Sequence, residues 1–181
     1  WLEFRRVLFR SSGVNPTEER KKAVDFSDVY YTSKGIFVVN KDSEEIKSVA
    51  DLKNKKIGVQ KGSTYETYAK EQLKMDDKNI QALTDVPSLL QDLKNKKIDA
   101  VLIPDDVAKI AMNKYTDIKI STFTADNDPE ATGMAIAFKK GKNDSNKELL
   151  EQVNAVIKEI QDQKAFEKEL DKYAKVAAQS E

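Results

Sequence analysis

Residues 56–69 read KIGVQKGSTYETYA, and this stretch decides the fold. Its first part, Ile57-Gly58-Val59-Gln60, is short and apolar, which predicts a buried strand. Ser63 and Glu66 then form the Ser-x-x-Glu pattern of a capping box, which predicts a helix that runs to about Leu73. A strand followed at once by a helix is the opening half of a βαβ unit.

Apolar runs and helical patterns alternate on both sides of this stretch. Further strands are predicted at 36–39, 80–83, 99–103, 118–123 and 133–138. Helices are predicted at 48–51, from Asp85 through Leu93, at 107–112, from Ser145 onward, and through Phe166, Leu170 and Tyr173. The helix that begins at Ser145 carries an apolar stripe of Leu149, Leu150, Val153, Val156, Ile157 and Ile160. Strands separated by such helices predict an α/β fold with a mainly parallel sheet.

The heptapeptide DLKNKKI occurs twice, at 51–57 and at 92–98. Each copy ends a helix and enters a strand, so we interpret the copies as two similar junctions and not as a repeat array. Asn54 and Asn95 are predicted to adopt the left-handed conformation that ends a helix.

The composition removes several classes of function. Among the 181 residues there is no cysteine and no histidine, which excludes disulfides, thiolate metal sites and histidine-dependent catalysis within this chain. The 31 basic and 31 acidic residues cancel, so no basic excess favours nucleic acid. No apolar run approaches the roughly 18 residues of a membrane span. We predict no metal and no cofactor.

The first eleven residues, WLEFRRVLFRS, differ from the rest of the chain. They contain the only tryptophan and three of the four arginines, with neither a strand nor a helix period. The segment resembles the translation of a sequencing adapter; the alternative is a short basic amphipathic arm. We therefore interpret residues 1–11 as an artefactual leader and predict the fold from the remaining residues. On this hypothesis the native start is missing, together with any signal peptide or lipid-anchor cysteine.

Arg20 is the one arginine beyond the leader, in a chain that otherwise uses lysine. A guanidinium offers a planar fork of donors that grips a carboxylate through two parallel hydrogen bonds. The preceding segment, Asn15 to Glu19, predicts a turn and a helix start that present the Arg20 side chain. The alternative is a solvated basic cluster with Lys21 and Lys22.

Two further groups of residues suit a charged ligand. The tripeptide at 62–64, Gly-Ser-Thr, lies at a helix N-terminus, where N–H groups and hydroxyls suit a carboxylate and Gly62 allows close approach. The alternative is an ordinary N-cap. Pro104-Asp105-Asp106 follows a strand, where ligands of α/β sheets bind, and a carboxylate there can hold an ammonium group. The alternative is that either aspartate caps the next helix. Together with Arg20, these groups complement the zwitterionic end of an α-amino acid.

Four segments of the chain resemble the family 3 solute-binding proteins of ABC importers, the receptors for polar amino acids. The segments are PTEERKKAVDFSDVYY, KIGVQKGSTYETYA, KKIDAVLIPDDVA and GMAIAFKKG with LLEQVNAVIKEI, and the likeness extends from about Ser12 to Tyr173. The resemblance implies a two-lobe fold of the periplasmic-binding-protein type II, which traps its ligand in the cleft. It implies a complete lobe 2 at 35–132 and a partial lobe 1 at 12–34 and 133–181.

By the same resemblance, Arg20 falls where the family binds the ligand α-carboxylate. Ser63 and Thr64 fall where the second lobe binds the same carboxylate. Asn15 stands where the family often has Ser or Thr near the ligand amine, and this departure keeps a polar side chain.

For the acid that binds the ligand amine, the resemblance gives two alternative positions. Counted from Asp99, its position falls on Pro104; anchored on Val107, it falls on Asp105. We choose Asp105 because proline cannot neutralise an ammonium group. No residue is predicted to be catalytic.

The sequence thus predicts the extracytoplasmic substrate-binding component of an ABC importer, either periplasmic or a cell-surface lipoprotein. It is expected to be a monomer that binds a polar amino acid and docks on the transmembrane subunits of the permease. No nucleic acid is expected as a partner, and membrane association only through the lost anchor. Two alternatives stay open: a sensor domain of a membrane receptor, and a dehydratase-like enzyme on the same fold.

Overall fold

The computed structural model describes residues 9–125, 132–140, 146–163 and 165–177. Its elements in chain order are β1 (Phe9–Val14), α1 (Glu18–Lys21), β2 (Val24–Phe26), β3 (Tyr31–Thr32), β4 (Gly35–Asn40), a 3-10 helix (Val49–Leu52), β5 (Ile57–Gln60), α2 (Thr64–Glu71), a second 3-10 helix (Asp77–Asn79), β6 (Ile80–Leu83), α3 (Val86–Lys94), β7 (Ala100–Pro104), α4 (Asp105–Lys114), β8 (Ile118–Ala125), β9 (Gly133–Lys139), α5 (Lys147–Asp162) and α6 (Ala165–Ala177). The strands and helices predicted from the sequence are confirmed, with shifts of a few residues at their ends. The predicted start of α5 at Ser145 lies outside the described residues.

The chain divides into two compact units. Unit 1 contains the described residues of 1–33 and 132–172, and unit 2 those of 34–131 and 173–181. The end of α6, from Tyr173, thus groups with unit 2, although it was predicted to belong to lobe 1. The identification of the two units as the lobes of a binding protein stays a prediction.

Unit 2 is built on a five-stranded sheet of order β6-β5-β7-β4-β8. Strand β5 pairs in parallel with β6 and with β7, because α2 and α3 return the chain to the same end of the sheet. Strand β4 is antiparallel to both of its neighbours. The prediction of a mainly parallel sheet is therefore correct for the helix-linked strands and wrong for β4, which precedes the first helical crossover.

Both faces of this sheet are covered. Strand β4 is buried along almost its whole length, and its successive side chains enter opposite halves of the core. One half contains Phe37, Val39, Ile57, Tyr65, Tyr68 and Leu102. The other contains Ile36, Val38, Leu89, Leu93, Val101 and Ile103. Each such large side chain contributes about 1.5–3 kcal/mol when fully buried, so this two-sided core holds the loops at the sheet edges in place.

Unit 1 is built around β9, which pairs antiparallel with β1, β2 and β3. The ring of Phe166 in α6 lies 5.5 Å from that of Tyr30 and 4.6 Å from that of Tyr31. These contacts pack Tyr30 and the first residue of β3 against the last helix.

The last three residues of the predicted leader, 9–11, belong to a strand of unit 1. They form the first half of β1, and the ring of Phe9 lies 5.9 Å from that of Phe138. The physical reason is that main-chain N–H and C=O groups pair along a strand edge whatever the side chains are. The origin of the leading segment stays a prediction.

The two DLKNKKI copies lie next to each other, because they lead into the neighbouring parallel strands β5 and β7. The N–H of Asp99 donates to the carbonyl oxygen of Lys56 at 2.8 Å, and the N–H of Lys56 donates to Oδ2 of Asp99 at 2.7 Å. The repeated sequence thus marks two equivalent junctions at one edge of the sheet.

The left-handed residue is predicted correctly in one copy only. Asn54 has φ 67°, as expected, whereas Asn95 is right-handed and Lys96 has φ 58°. Helix α3 continues to Lys94 and ends with Lys96 N–H bonded to Leu93 O and Lys97 N–H to Asp92 O, the Schellman pattern. The extra helical residue moves the left-handed position one place along the chain.

Candidate functional site

Helix α1 presents Arg20 from unit 1. Thr17 caps this helix, and its Oγ1 accepts the N–H of Arg20 at 3.3 Å. The Arg20 side chain is half-buried, and its Nη1 donates to the carbonyl oxygen of Asn15 at 3.2 Å. Burial lowers the pKa of Arg20, which the carboxylate of Glu19 opposes, and the guanidinium stays charged at neutral pH. Arg20 therefore differs from the exposed Lys21 beside it, which pairs with Glu18 at 2.6 Å.

Asn15 is buried beside Arg20, with 9% of its surface exposed. Its Nδ2 donates to the carbonyl oxygen of Gly133 at 2.7 Å, at the beginning of β9. The turn before α1 is thus fastened to the sheet of unit 1. The structure brings these two predicted site residues together.

The loop Gly62–Thr64 leads from β5 into α2 in unit 2. Gly62 has φ +73°, and a Cβ placed on it would have no atom within 4 Å, so the backbone there is open to approach. Oγ of Ser63 accepts the N–H of Glu66 at 3.3 Å, as the predicted capping box requires. The returning carboxylate of Glu66 accepts from Gly62 N–H at 2.8 Å, one residue earlier than in the usual box.

This loop therefore already holds one carboxylate of its own chain. The bond from Gly62 N–H is the main cause that lowers the pKa of Glu66, and Lys70 adds to it at 2.9 Å. The main-chain N–H of Gly62 before this helix thus stabilises a negative charge, in the sense that the helix dipole predicts.

The position of α2 depends on close packing against the start of β4. An ideal Cβ on Gly35 would lie 2.5 Å from Cε1 of Tyr65 and 3.0 Å from Cβ of Ala125. No side chain fits at Gly35 without a shift of Tyr65, which follows the loop directly in the sequence. Gly35 is thus a positioning residue for the loop.

Asp105 follows β7 and is engaged with the main chain. Its Oδ1 accepts the N–H of Lys34 at 3.2 Å, while its own N–H donates to the carbonyl oxygen of Lys34 at 2.8 Å. This reciprocal pair closes the sheet edge where Gly35 pairs with Pro104. The predicted amine-binding residue therefore also has a structural role.

Asp106 belongs to the Pro104-Asp105-Asp106 group singled out in the sequence, although Asp105 was chosen there as the amine-binding residue. Its Oδ1 is buried and has no hydrogen-bond partner within the part of the chain that the structure describes. Burial raises the pKa of Asp106, and the charge of Asp105 adds to this; main-chain N–H groups of Val107 and of Asp106 itself act in the other direction. A carboxyl with an unsatisfied oxygen is suited to receive a cationic donor. No sequence signal separates two adjacent aspartates, because only the fold determines which one is buried.

The structure brings the loop Gly62–Thr64 and the two aspartates to one edge of the unit 2 sheet. They follow β5 and β7, which are neighbouring parallel strands with Val59 opposite Leu102. The carboxyl ends of adjacent parallel strands are the place where α/β sheets bind ligands. Across the described residues, no group of acidic side chains is placed to hold a metal ion. No helix in those ranges combines the length and apolarity of a membrane span.

The chain is thus an α/β protein with hydrogen-bond donors and carboxylates at the carboxyl ends of its parallel strands. Residues 6–176 match the model of the family described as bacterial extracellular solute-binding proteins, family 3. The chain belongs to this family, and the match begins within the leading segment.

Individual relatives agree with this assignment. The chain is 38% identical over 172 residues to the arginine-binding extracellular protein ArtP of Bacillus subtilis (strain 168), covering 92% of this chain and 63% of that protein. It is 34% identical to the L-cystine-binding protein TcyJ of Escherichia coli (strain K12), covering 88% of this chain and 57% of that protein. The chain thus spans less than two thirds of the length of these two relatives.

A solved structure shows the same fold. It is an amino acid ABC transporter substrate-binding protein from Streptococcus pneumoniae Canada MDR_19A bound to L-arginine. The TM-score is 0.80 at 30% identity, with 93% of this chain and 68% of that chain covered. The mixed α/β fold of the type II periplasmic binding proteins, predicted from the sequence, is confirmed.

Proposed function

We propose that this chain is part of the substrate-binding component of an ABC importer and that it binds an α-amino acid outside the cytoplasm. The observation that carries the proposal is the loop Gly62–Thr64, which already stabilises the carboxylate of Glu66 through a main-chain N–H. Arg20 supplies the second group that this chemistry needs, a half-buried guanidinium.

Each group has one role in this proposal. Arg20 and the loop Gly62–Thr64 bind the α-carboxylate of the ligand. Asp105 or Asp106 pairs with the α-ammonium group, and Asn15 holds the turn that positions Arg20. Three or four charge-assisted hydrogen bonds of about 1.5–3 kcal/mol each are sufficient for a micromolar complex near −8 kcal/mol.

L-Arginine is the first ligand to test. The B. subtilis relative is described as arginine-binding, and the S. pneumoniae structure contains bound L-arginine. L-Cystine is the second, because the E. coli relative is named for it. Both carry the same α-carboxylate and α-ammonium groups, so the proposed contacts serve either ligand.

The protein acts by binding and then delivers the ligand to the transmembrane subunits of a permease. No residue is assigned a catalytic role, because the proposed groups bind and orient a zwitterion without a bond being formed or broken. The dehydratase-like alternative has one point in its favour. A similar structure, 30% identical with a TM-score of 0.70, is an ancestral amino acid-binding protein described as a precursor of cyclohexadienyl dehydratase.

The decisive experiment compares L-arginine with agmatine, which lacks the α-carboxylate. We expect calorimetry on the chain, completed with the remaining length of the B. subtilis relative, to show micromolar binding of L-arginine and at least about a hundredfold weaker binding of agmatine. Equal binding of both compounds would remove the proposed carboxylate contacts. Turnover of an amino acid by the same preparation would favour the enzyme.

A further inference from the structure

The main-chain donors that lead from β5 into α2 are already engaged within unit 2. The N–H groups of Lys61 and Ser63 donate to main-chain carbonyl oxygens at 2.8 and 3.2 Å. Between them, the N–H of Gly62 donates to Oε2 of Glu66 at 2.8 Å. Only this third bond ends on a side chain. It is therefore the one that an incoming carboxylate can take over without breaking a main-chain pair.

The carboxylate of Glu66 has a second partner that remains after such an exchange. Its Oε1 accepts from Nζ of Lys70 at 2.9 Å, one turn further along α2. Lys70 also lies 3.7 Å from Oδ1 of Asp77, and the charge of Lys61 acts on Glu66 as well. Glu66 thus keeps a positively charged partner whether or not it accepts from Gly62.

This carboxylate is a negative charge held at the loop that is proposed to bind a negative charge. The pKa of Glu66 is lowered, chiefly by the bond from Gly62 N–H, so the side chain is ionised at neutral pH. A second anion at the same loop must either displace Glu66 from Gly62 or bind beside a like charge. In both cases its apparent affinity falls, because only the molecules with a free donor bind it at full strength.

We propose that Glu66 is a specificity-determining residue, which competes within the chain for the N–H of Gly62 and closes the loop to simple anions. The inference rests on the proposed function, in which Arg20 also holds the α-carboxylate and Asp105 or Asp106 pairs with the α-ammonium group. Every anion meets the competition from Glu66. An α-amino acid has the additional ammonium contact that outweighs it, whereas acetate has a carboxylate alone.

Glu66→Gln separates the charge of this side chain from its hydrogen bond. The amide oxygen can still accept from Gly62 N–H, so the loop keeps its shape while the negative charge is lost. Calorimetry on the completed protein is expected to give a Kd for L-arginine at least about threefold lower than in the parent. L-Arginine has a net positive charge, so the loss of a distant negative charge would act in the opposite direction.

Glu71→Gln is the matched control. It makes the same change of charge on the same helix, at an exposed position, and is expected to leave the Kd unchanged. An unchanged or higher Kd in Glu66→Gln overturns the proposal, because a residue that only shapes the loop does not oppose binding. Equal tightening by both variants overturns it too, since the effect would then not be local to Gly62.

A second measurement uses acetate as the probe and needs no amino acid. Acetate is titrated at constant ionic strength while the amide resonance of Gly62 is followed by nuclear magnetic resonance. The resonance is expected to shift saturably in Glu66→Ala, which has no competing carboxylate, and to stay in place in the parent. Equal shifts in both proteins, or a shift in neither, overturn the proposal. If Glu66→Ala does not fold, Glu66→Gln replaces it in the titration.

The two measurements distinguish this inference from the function on which it rests. If neither the parent nor the variants bind L-arginine, the proposed function fails, and the acetate titration still decides whether Glu66 competes for Gly62. If the parent binds L-arginine and Glu66→Gln does not bind it more tightly, the role of Glu66 is refuted and the proposed function stands.

Discussion

The guanidinium of Arg20 donates to the main-chain oxygen of Asn15 at 3.2 Å, across the turn that leads into α1. The side chain of Asn15 in turn donates to Gly133 at 2.7 Å. The proposed carboxylate-binding residue is thus fixed to the sheet of unit 1 through a residue that was itself predicted to lie in the site. Substitution of Asn15 should therefore mainly lower the free energy of unfolding. Substitution of Arg20 should mainly weaken the affinity for the ligand.

Arg20→Lys is expected to raise the Kd for L-arginine at least tenfold, or about 1.4 kcal/mol. A lysine keeps the charge but lacks the planar fork, so it cannot make two parallel bonds to one carboxylate. The measurement is calorimetry on the completed protein. Lys22→Ala, which removes an exposed neighbouring charge, is the control and should leave the Kd unchanged. An unchanged Kd for Arg20→Lys would remove Arg20 from the site.

Asn15→Ala is expected to lower the free energy of unfolding by about 1–3 kcal/mol, because it leaves the buried carbonyl of Gly133 without this donor. Urea denaturation of the chain measures the change. Asn95→Ala, at an exposed position after α3, is the control and should cost less than about 0.5 kcal/mol. Equal losses of stability in Asn15→Ala and Asn95→Ala would show that the bond from Asn15 to Gly133 does not stabilise the fold.

The sequence predicted the elements of unit 2 well, because its strands are short apolar runs and its helices begin with caps. Asp85 accepts the N–H of Ser88 at 2.8 Å, as its place before a helical pattern predicted. Periodicity does not specify the direction in which a strand pairs. The antiparallel orientation of β4 therefore could not be predicted, since it depends on long-range pairing with β7 and β8.

The candidate site was predictable as a set of residue types, but the partners of those residues were not. The capping box predicted that Glu66 would turn back to the main chain at the helix start, but not that its partner would be Gly62. Nothing in the sequence indicated that Asp105 would pair with Lys34. These bonds form because the fold places a side chain next to a main-chain group, and local sequence has no information about that distance. The same limit applies to Asp106, whose burial depends on how α4 packs.

Gly35→Ala is expected to cost about 1–3 kcal/mol by overpacking, because its Cβ would lie 2.5 Å from Cε1 of Tyr65. Trimming the ring with Tyr65→Leu should recover part of that loss, giving a favourable coupling in a double-mutant cycle. Urea denaturation of the parent, the two single variants and the double variant measures this coupling free energy.

Gly62→Ala provides the contrast to this cycle. The added Cβ has no atom within 4 Å, but alanine would have to adopt φ +73°, which lowers the stability by about 1 kcal/mol. Because that cost is in the backbone, Tyr65→Leu should not recover it. Recovery in both cycles would show that Tyr65→Leu acts generally and not through Gly35.

Asp106→Asn is expected to stabilise the protein at neutral pH. Burial raises the pKa of Asp106 in the folded state above its ordinary value of 3.8, so the folded chain binds this proton more tightly than the unfolded chain. That contribution to stability is fully present below the unfolded pKa and is lost as the pH rises through the folded pKa. The amide imitates the protonated acid, so the variant should exceed the parent at pH 7 by less than about 1 kcal/mol, since water screens a half-buried group.

The control for this experiment is Asp105→Asn, which removes a negative charge from the same helical turn. Its amide oxygen can still accept the N–H of Lys34, so the sheet edge should remain closed. Loss of a carboxylate from a helix start normally costs about 0.3–1 kcal/mol. Denaturation at pH 3 and pH 7 should therefore separate the variants: the advantage of Asp106→Asn grows with pH, whereas Asp105→Asn gains no such advantage.

A lower stability of Asp106→Asn at pH 7 would mean that the ionised carboxylate has a favourable partner. A weaker affinity of that variant for L-arginine would assign the α-ammonium contact to Asp106 rather than to Asp105.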